Sequence, residues 1–177
     1  LDEALRRMNK ERLPFVYLVR KDTLEETERP CRPGEEKYPL KRIDAIRILT
    51  ERLKGEEYVI ATTGKPSREL FAVRDSSKNF YMQGSMGHAA SIGLGAALQR
   101  PEKKIVILDG DGAALMHLGV LSAIGHYKPA NLYHLVFANE AYETTGNQDT
   151  TSATTDLGGV ASACGYRSVH ESVSADD

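Results

Sequence analysis

The sequence has no tryptophan, only two cysteines and no excess of charge of either sign. Each scarcity excludes something. Twenty-three basic residues stand against 25 acidic ones, so no basic field marks nucleic acid or a membrane surface as the partner. Cys31 and Cys164 are too few and too far apart for a disulfide framework or a CxxC site; two free thiols in a cytoplasmic protein is the reading they support. No apolar run approaches the ~20 residues that a membrane-spanning helix needs, and no signal peptide is visible. Internal repeats and low-complexity tracts are absent. What remains is 177 residues of 41% hydrophobic composition. That is enough for one ordinary domain, or one domain plus part of another. The first residue is Leu1, inside a helical pattern, which is expected of part of a longer polypeptide.

Leu1, Leu5 and Met8 share one helical face, and the helix must stop before Pro14. Phe15 to Val19 is expected to be a short strand. Residues 21–40 are polar and contain Pro30, Pro33 and Pro39, the composition of an extended linker. Residues 1–20 thus look like the tail of a preceding domain, and residues 41–177 like the main one. In the latter, Ile43, Ile46, Leu49 and Leu53 mark a helix that stops at Gly55. Strands are expected at Tyr58–Ala61, Asn79–Met82, Ile105–Leu108 and Leu132–Phe137, with another starting at Tyr166. Helices are expected from a Ser67 cap to Val73, over His88–Gln99, Ala113–Gly125 and Leu157–Ala163, and a polar loop over residues 140–152. Strands alternating with helices predict an α/β fold, a doubly wound, mainly parallel sheet with helices on both faces.

The chain is organised around residues 104–112. Ile105 to Leu108 is apolar without alternation, as in a strand covered on both faces. It runs into Asp109-Gly110-Asp111-Gly112 at its C-terminal end, where open α/β sheets place their ligands. A tight turn would explain the glycines alone. A dinucleotide site is opposed by Leu115 in place of the third glycine, and Asp111 would repel a bare pyrophosphate. A phosphatase of the haloacid-dehalogenase type would use Asp109 as nucleophile, but such a site expects Thr or Val where Ala113 stands. An EF-hand loop would need a ligand at Ala113. The remaining reading is a metal–diphosphate site. Asn139 lies 28 positions after Asp111 (139 − 111), at the end of the next expected strand. A carboxylate and an amide oxygen, completed by a carbonyl, phosphate oxygens and water, make the six-oxygen set that Mg²⁺ prefers.

Gly110-Asp111-Gly112 with Asn139 resembles the metal-binding signature of thiamine diphosphate-dependent enzymes, which begins GDG and ends in NN; Ala138 replaces the first Asn. The resemblance implies thiamine diphosphate and Mg²⁺ as cofactors. It implies Asp111, Asn139 and the carbonyl of Ala141 as metal ligands, and backbone N–H groups of Gly112 and Ala113 on the diphosphate. Gly84, Ser85 and Met86 match the turn in which Gly84 meets the aminopyrimidine ring and Met86 supports the bent cofactor. Thr63 and Gly64 match a further cofactor-contacting loop. Within the family, Thr62-Thr63-Gly64 with Arg68 to Phe71, Gly84 to Gly87, Leu108 to Met116 and Thr145-Gly146-x-Gln148 resemble phosphonopyruvate decarboxylases. Sulfopyruvate decarboxylases are the nearest alternative.

That resemblance implies a carbon–carbon lyase, decarboxylating a small 2-oxo acid in phosphonate biosynthesis. Arg68, His88 and Thr145 are candidates for touching the substrate, though each is as readily a surface residue. His134 shows no constellation in the sequence, and His117 reads as a core or surface residue. The family's activating glutamate lies on a pyrimidine-binding domain, which residues 1–20 would end, and which meets the diphosphate domain of another subunit. A homo-oligomer is therefore implied, with residues 41–177 truncated at their C-terminus and inactive alone. No membrane or nucleic-acid partner is expected.

Overall fold

The computed structural model describes residues 2–12, 16, 18–20, 23–24 and 38–174. The chain forms two compact units, Leu1–Pro33 and Gly34–Asp177. In the first, helix α1 spans Asp2–Glu11. Of the strand expected at Phe15–Val19, Phe15 and Tyr17 lie outside the described residues, while Val16, Leu18 and Val19 are exposed and not in a strand. Cys31 and most of the expected linker also lie outside them.

The second unit carries α2 (Arg42–Arg52), β1 (Tyr58–Ala61), α3 (Lys65–Val73), β2 (Asn79–Tyr81) and α4 (Ala89–Gln99). β3 (Ile105–Gly110), α5 (Asp111–Met116), α6 (Gly119–Tyr127) and β4 (Leu132–Phe137) follow. A hairpin of β5 (Ala141–Tyr142) and β6 (Gln148–Asp149), a 3-10 helix Thr151–Thr154 and α7 (Leu157–Cys164) complete it. The four long strands form a parallel sheet in the order β2-β1-β3-β4. The chain moves outward from β1 to β2, then returns to the other side of β1 for β3. That reversal is where open sheets leave a crevice at their C-terminal edge.

Both faces are covered, which is why β3 reads as an unbroken apolar run. Ile60, Ile105 and Ile107 face α4 and α6 through Ala90, Leu94, Ala97 and Ile124. Val59, Ala61, Val106 and Leu108 face Ile46 of α2 and Leu70 of α3. The small residues of α4 allow close approach. A Cβ on Gly93 would lie 2.5 Å from Ile107.

Four expectations are corrected. Ala113–Gly125 is not one helix: it breaks at His117, whose φ of −131° and ψ of 47° are not helical. Ser67 does not cap α3, which starts two residues earlier after Gly64; its hydroxyl turns back to the carbonyls of Ala61 (3.1 Å) and Thr62 (2.7 Å). The loop 140–152 contains the β5–β6 hairpin. Residues 166–174 form no strand; the Tyr166 side chain is used instead, as described below.

α6 and α7 meet at Gly125, where a Cβ would overlap the carbonyl oxygen of Cys164. Gly95 of α4 has nothing within 4 Å of its own Cβ position. Gly125→Ala is therefore expected to lower the unfolding free energy in urea by about 3 kcal/mol, whereas Gly95→Ala should raise it by about 0.5–1 kcal/mol.

Candidate cofactor-binding site

Parallel pairing brings the ends of β1, β2, β3 and β4 to one edge of the sheet. At the first two ends the turns are joined, since the N–H of Gly84 donates to Thr63 Oγ1 (3.2 Å). Gly64, Gly84 and Gly87 have φ of 92°, 73° and 88°, a region glycine enters freely. Ser85 is also left-handed, at 46°, though it has a side chain. Such backbone outliers concentrate at functional turns. Met86 is half-buried beside them. A Cβ at Gly84 or at Gly110 would meet nothing within 4 Å, so the space beside both is open. Thr62 Oγ1, just past the end of β1, is buried and has no hydrogen-bond partner among the described residues.

At the end of β3, Asp111 is 2% exposed. Its Oδ2 accepts hydrogen bonds from Thr150 Oγ1 (2.7 Å) and Ser152 Oγ (2.5 Å). The two hydroxyls themselves lie 2.7 Å apart. Gly112 and Ala113 follow in the first turn of α5, both buried. A Cβ on Gly112 would run into the ring of Tyr142 and the methyl of Thr150. The hairpin therefore packs directly on the backbone beside Asp111, and only glycine leaves it room.

At the end of β4, Ala138 is exposed and Asn139 half-buried. Asn139 Oδ1 accepts from the N–H of Ala141 (3.2 Å), and its Nδ2 donates to Glu143 Oε2 (3.4 Å). Glu140 between them is left-handed, with φ of 59°. Glu143 joins a chain of charges. Arg42 binds Glu69 with two N–H groups (2.7 and 2.9 Å) and reaches Glu143 Oε2 at 2.8 Å. Lys65 pairs with Glu143 Oε1. Burial alone would raise the Glu143 carboxyl, but the hydrogen bonds from Lys65 and Arg42 outweigh it and hold the group below its ordinary value. The Arg42 guanidinium is shifted up: burial opposes its charge, and the two glutamates more than offset that. Thr144 Oγ1 accepts from the Lys65 N–H at 3.2 Å, fastening the hairpin to the β1–α3 turn.

The next group has no signature in the sequence. Asp109 is fully buried, with its Oδ2 3.4 Å from His134 Nε2, and His134 Nδ1 lies 3.2 Å from the Tyr166 hydroxyl. His134 thus has a constellation after all. Burial, followed by the nearby Cys164 and Asp109, raises the Tyr166 phenol above its ordinary range. Asp109 also accepts from the Gly110 N–H (3.0 Å). A carboxylate enclosed in this way is not presented to a phosphate ester, which removes the structural basis for the nucleophile reading.

The three substrate candidates do not converge on one group. Arg68 is exposed on α3, and its neighbour Glu69 is the residue held by Arg42. His88 is exposed, packed against His117 with ring centroids 3.9 Å apart and the rings tilted by 53°, where the two border a cleft of about 500 Å³ between α4 and α6. Thr145 is exposed in the hairpin turn, its hydroxyl 2.9 Å from Gln148 Oε1 and 3.2 Å from the Tyr142 carbonyl. Sequence reading passed over Thr150, Ser152 and Glu143. Thr150 and Ser152 stand 39 and 41 positions from the aspartate they touch, so no spacing rule reveals them.

Residues 63–175 match the family described as thiamine pyrophosphate enzyme, C-terminal TPP binding domain. The chain belongs to this family. It is 47% identical over 149 residues to a phosphonopyruvate decarboxylase of Streptomyces viridochromogenes, covering 84% of this chain and 37% of that protein. It is 47% identical over 133 residues to the sulfopyruvate decarboxylase subunit beta of Methanocaldococcus jannaschii, covering 75% of this chain and 70% of that subunit. This thiamine pyrophosphate-binding domain thus spans little more than a third of the first relative and over two thirds of the second. A benzoylformate decarboxylase from Polynucleobacter necessarius shares the fold, with a TM-score of 0.60 and 20% identity over 82% of this chain and 30% of that one. No helix among the described residues is long and apolar enough to cross a membrane.

Within the domain, Asp109 depends on His134 for its only side-chain partner seen among the described residues. His134→Leu should leave Oδ2 of that buried carboxylate without its partner and cost about 2 kcal/mol in urea unfolding.

Proposed function

We propose that this chain holds the diphosphate of thiamine diphosphate, through Mg²⁺, in an enzyme that decarboxylates 3-phosphonopyruvate to phosphonoacetaldehyde and carbon dioxide. The observation that carries the cofactor reading is the placement of Asp111 and Asn139 just past the ends of two hydrogen-bonded parallel strands, with a glycine after Asp111 that the hairpin covers. Among the described residues no group of three or more His, Cys, Asp or Glu could hold a metal alone. A hard cation here must draw on the Asp111 carboxylate, the Asn139 Oδ1, the Ala141 carbonyl and oxygens of the diphosphate. That all-oxygen set suits Mg²⁺. The open space beside Gly110 and Gly84 and the unpartnered Thr62 hydroxyl also fit a bound polar ligand.

In this reading Gly112 and Ala113 bind diphosphate oxygens through their N–H groups. Thr63, Gly64, Gly84 and Ser85 would line the cofactor, and Met86 would pack against it. When bound, the cofactor supplies the electron sink for the pair left by departing carbon dioxide. The chain's own tasks are to bind, to orient and to keep Asp111 and Asn139 in place. Residues 1–20 then end a pyrimidine-binding domain, residues 21–40 link it to residues 41–177, and activity needs such a domain from another subunit. The name "subunit beta" borne by one relative supports a partner of that kind. The same relative favours a second reading, sulfopyruvate as substrate, because the chain spans more of it.

Calorimetry on the complete protein is expected to show Mg²⁺-dependent binding of thiamine diphosphate. Asp111→Ala and Asn139→Ala should abolish it, and Asp109→Asn should retain it. Among phosphonopyruvate, sulfopyruvate and pyruvate, phosphonopyruvate should give the highest kcat/KM for release of carbon dioxide. Higher turnover of sulfopyruvate would transfer the assignment to the second reading, and no release from any of the three would sink both.

A further inference from the structure

Asn139 offers a metal site two unlike ends, one oxygen and one NH₂, of nearly the same shape. Only the oxygen can bind a cation. Something must therefore decide which end faces the site. The Ala141 N–H points at Oδ1, and its 3.2 Å contact leaves that oxygen a further lone pair. On the other side stands Glu143 Oε2, at 3.4 Å from Nδ2. A carboxylate can only accept, so it can face only the NH₂ end.

Glu143 is itself fixed. Lys65 occupies Oε1, and Arg42 occupies Oε2 from 2.8 Å. Arg42 is further anchored by its two-pronged bond to Glu69. Two cations on one carboxylate hold it as an anion and offset its charge. Glu143 can then lie four residues from Asn139 without serving as a competing metal ligand.

We propose that Glu143 is a positioning residue. It turns the Asn139 amide so that Oδ1 faces the metal site, with Arg42 and Lys65 holding it in place. The inference rests on the Mg²⁺ reading given above. Gln at position 143 would have one oxygen where Lys65, Arg42 and Asn139 need two, so its own NH₂ would favour the reversed amide.

The test is a double-mutant cycle read by calorimetric Mg²⁺ affinity of the complete protein, in saturating thiamine diphosphate. Glu143→Gln is expected to weaken Mg²⁺ about tenfold, the usual effect of losing a group that orients a metal ligand. Asn139→Asp replaces the amide with a carboxylate whose two ends are alike, so orientation no longer matters. In that background Glu143→Gln should change Mg²⁺ affinity by less than about twofold, or strengthen it by removing a like charge. An equal loss in both backgrounds would make Glu143 a general prop for the hairpin and overturn the proposal. So would unchanged affinity in Glu143→Gln while Asn139→Ala loses Mg²⁺. If Asp111→Ala and Asn139→Ala both bind Mg²⁺ normally, the metal reading itself fails, a result distinct from either.

Discussion

The hydrogen bonding of β3 to strands on both sides is the constraint from which the site follows. β3 pairs with β1 over four positions and with β4 over six, always in parallel. Parallel pairing makes all strands finish at the same edge. Burial on both faces then fixes the register, because a slip of one residue would carry Asp109 and Ile107 to the wrong layer. Asp111 and Asn139 come to the same edge of the sheet for that reason. Neither has to be steered by a loop of its own.

The hairpin supplies what the sheet cannot. Strand ends give position but not side-chain orientation. Thr150 and Ser152 hold Asp111 through its Oδ2, and Glu143 holds Asn139. The ring of Tyr142 over Gly112 closes the gap between hairpin and strand end. Backbone strain at Glu140 lies at the junction, where the chain must leave β4 and turn at once into the hairpin. The Asp109–His134–Tyr166 group works one layer deeper. It ties β3 to β4 and to the segment after α7 through polar contacts in an otherwise apolar layer.

The sheet was legible because its signals are local. An apolar β-branched run such as Ile105 to Leu108 permits few structures, and a glycine–acid turn after it marks the ligand edge. Gly84, Asp111 and Asn139 could be found the same way, each at a strand end. The break at His117 was not legible, since residues 113–125 carry no proline, and a single Gly119 inside an apolar helical pattern is a weak stop signal. Nor were the contacts of residues 143–152. Their partners are set by how a hairpin folds back over the sheet, and polar residues in a turn look alike whether they face water or a buried carboxylate. His134 was missed for a related reason. On a strand its partner sits across the ladder, not nearby in sequence.

The ion pairs that hold the hairpin are half in solvent, with Lys65 and Glu143 exposing 40% and 33% of their side chains. The sheet beneath is held by apolar burial. Added salt screens the former and leaves the latter nearly untouched. The molecule therefore joins a scaffold indifferent to ionic strength to a clasp that responds to it. The border between them runs through one residue, Asn139, whose backbone lies just past β4 and whose amide answers to the clasp.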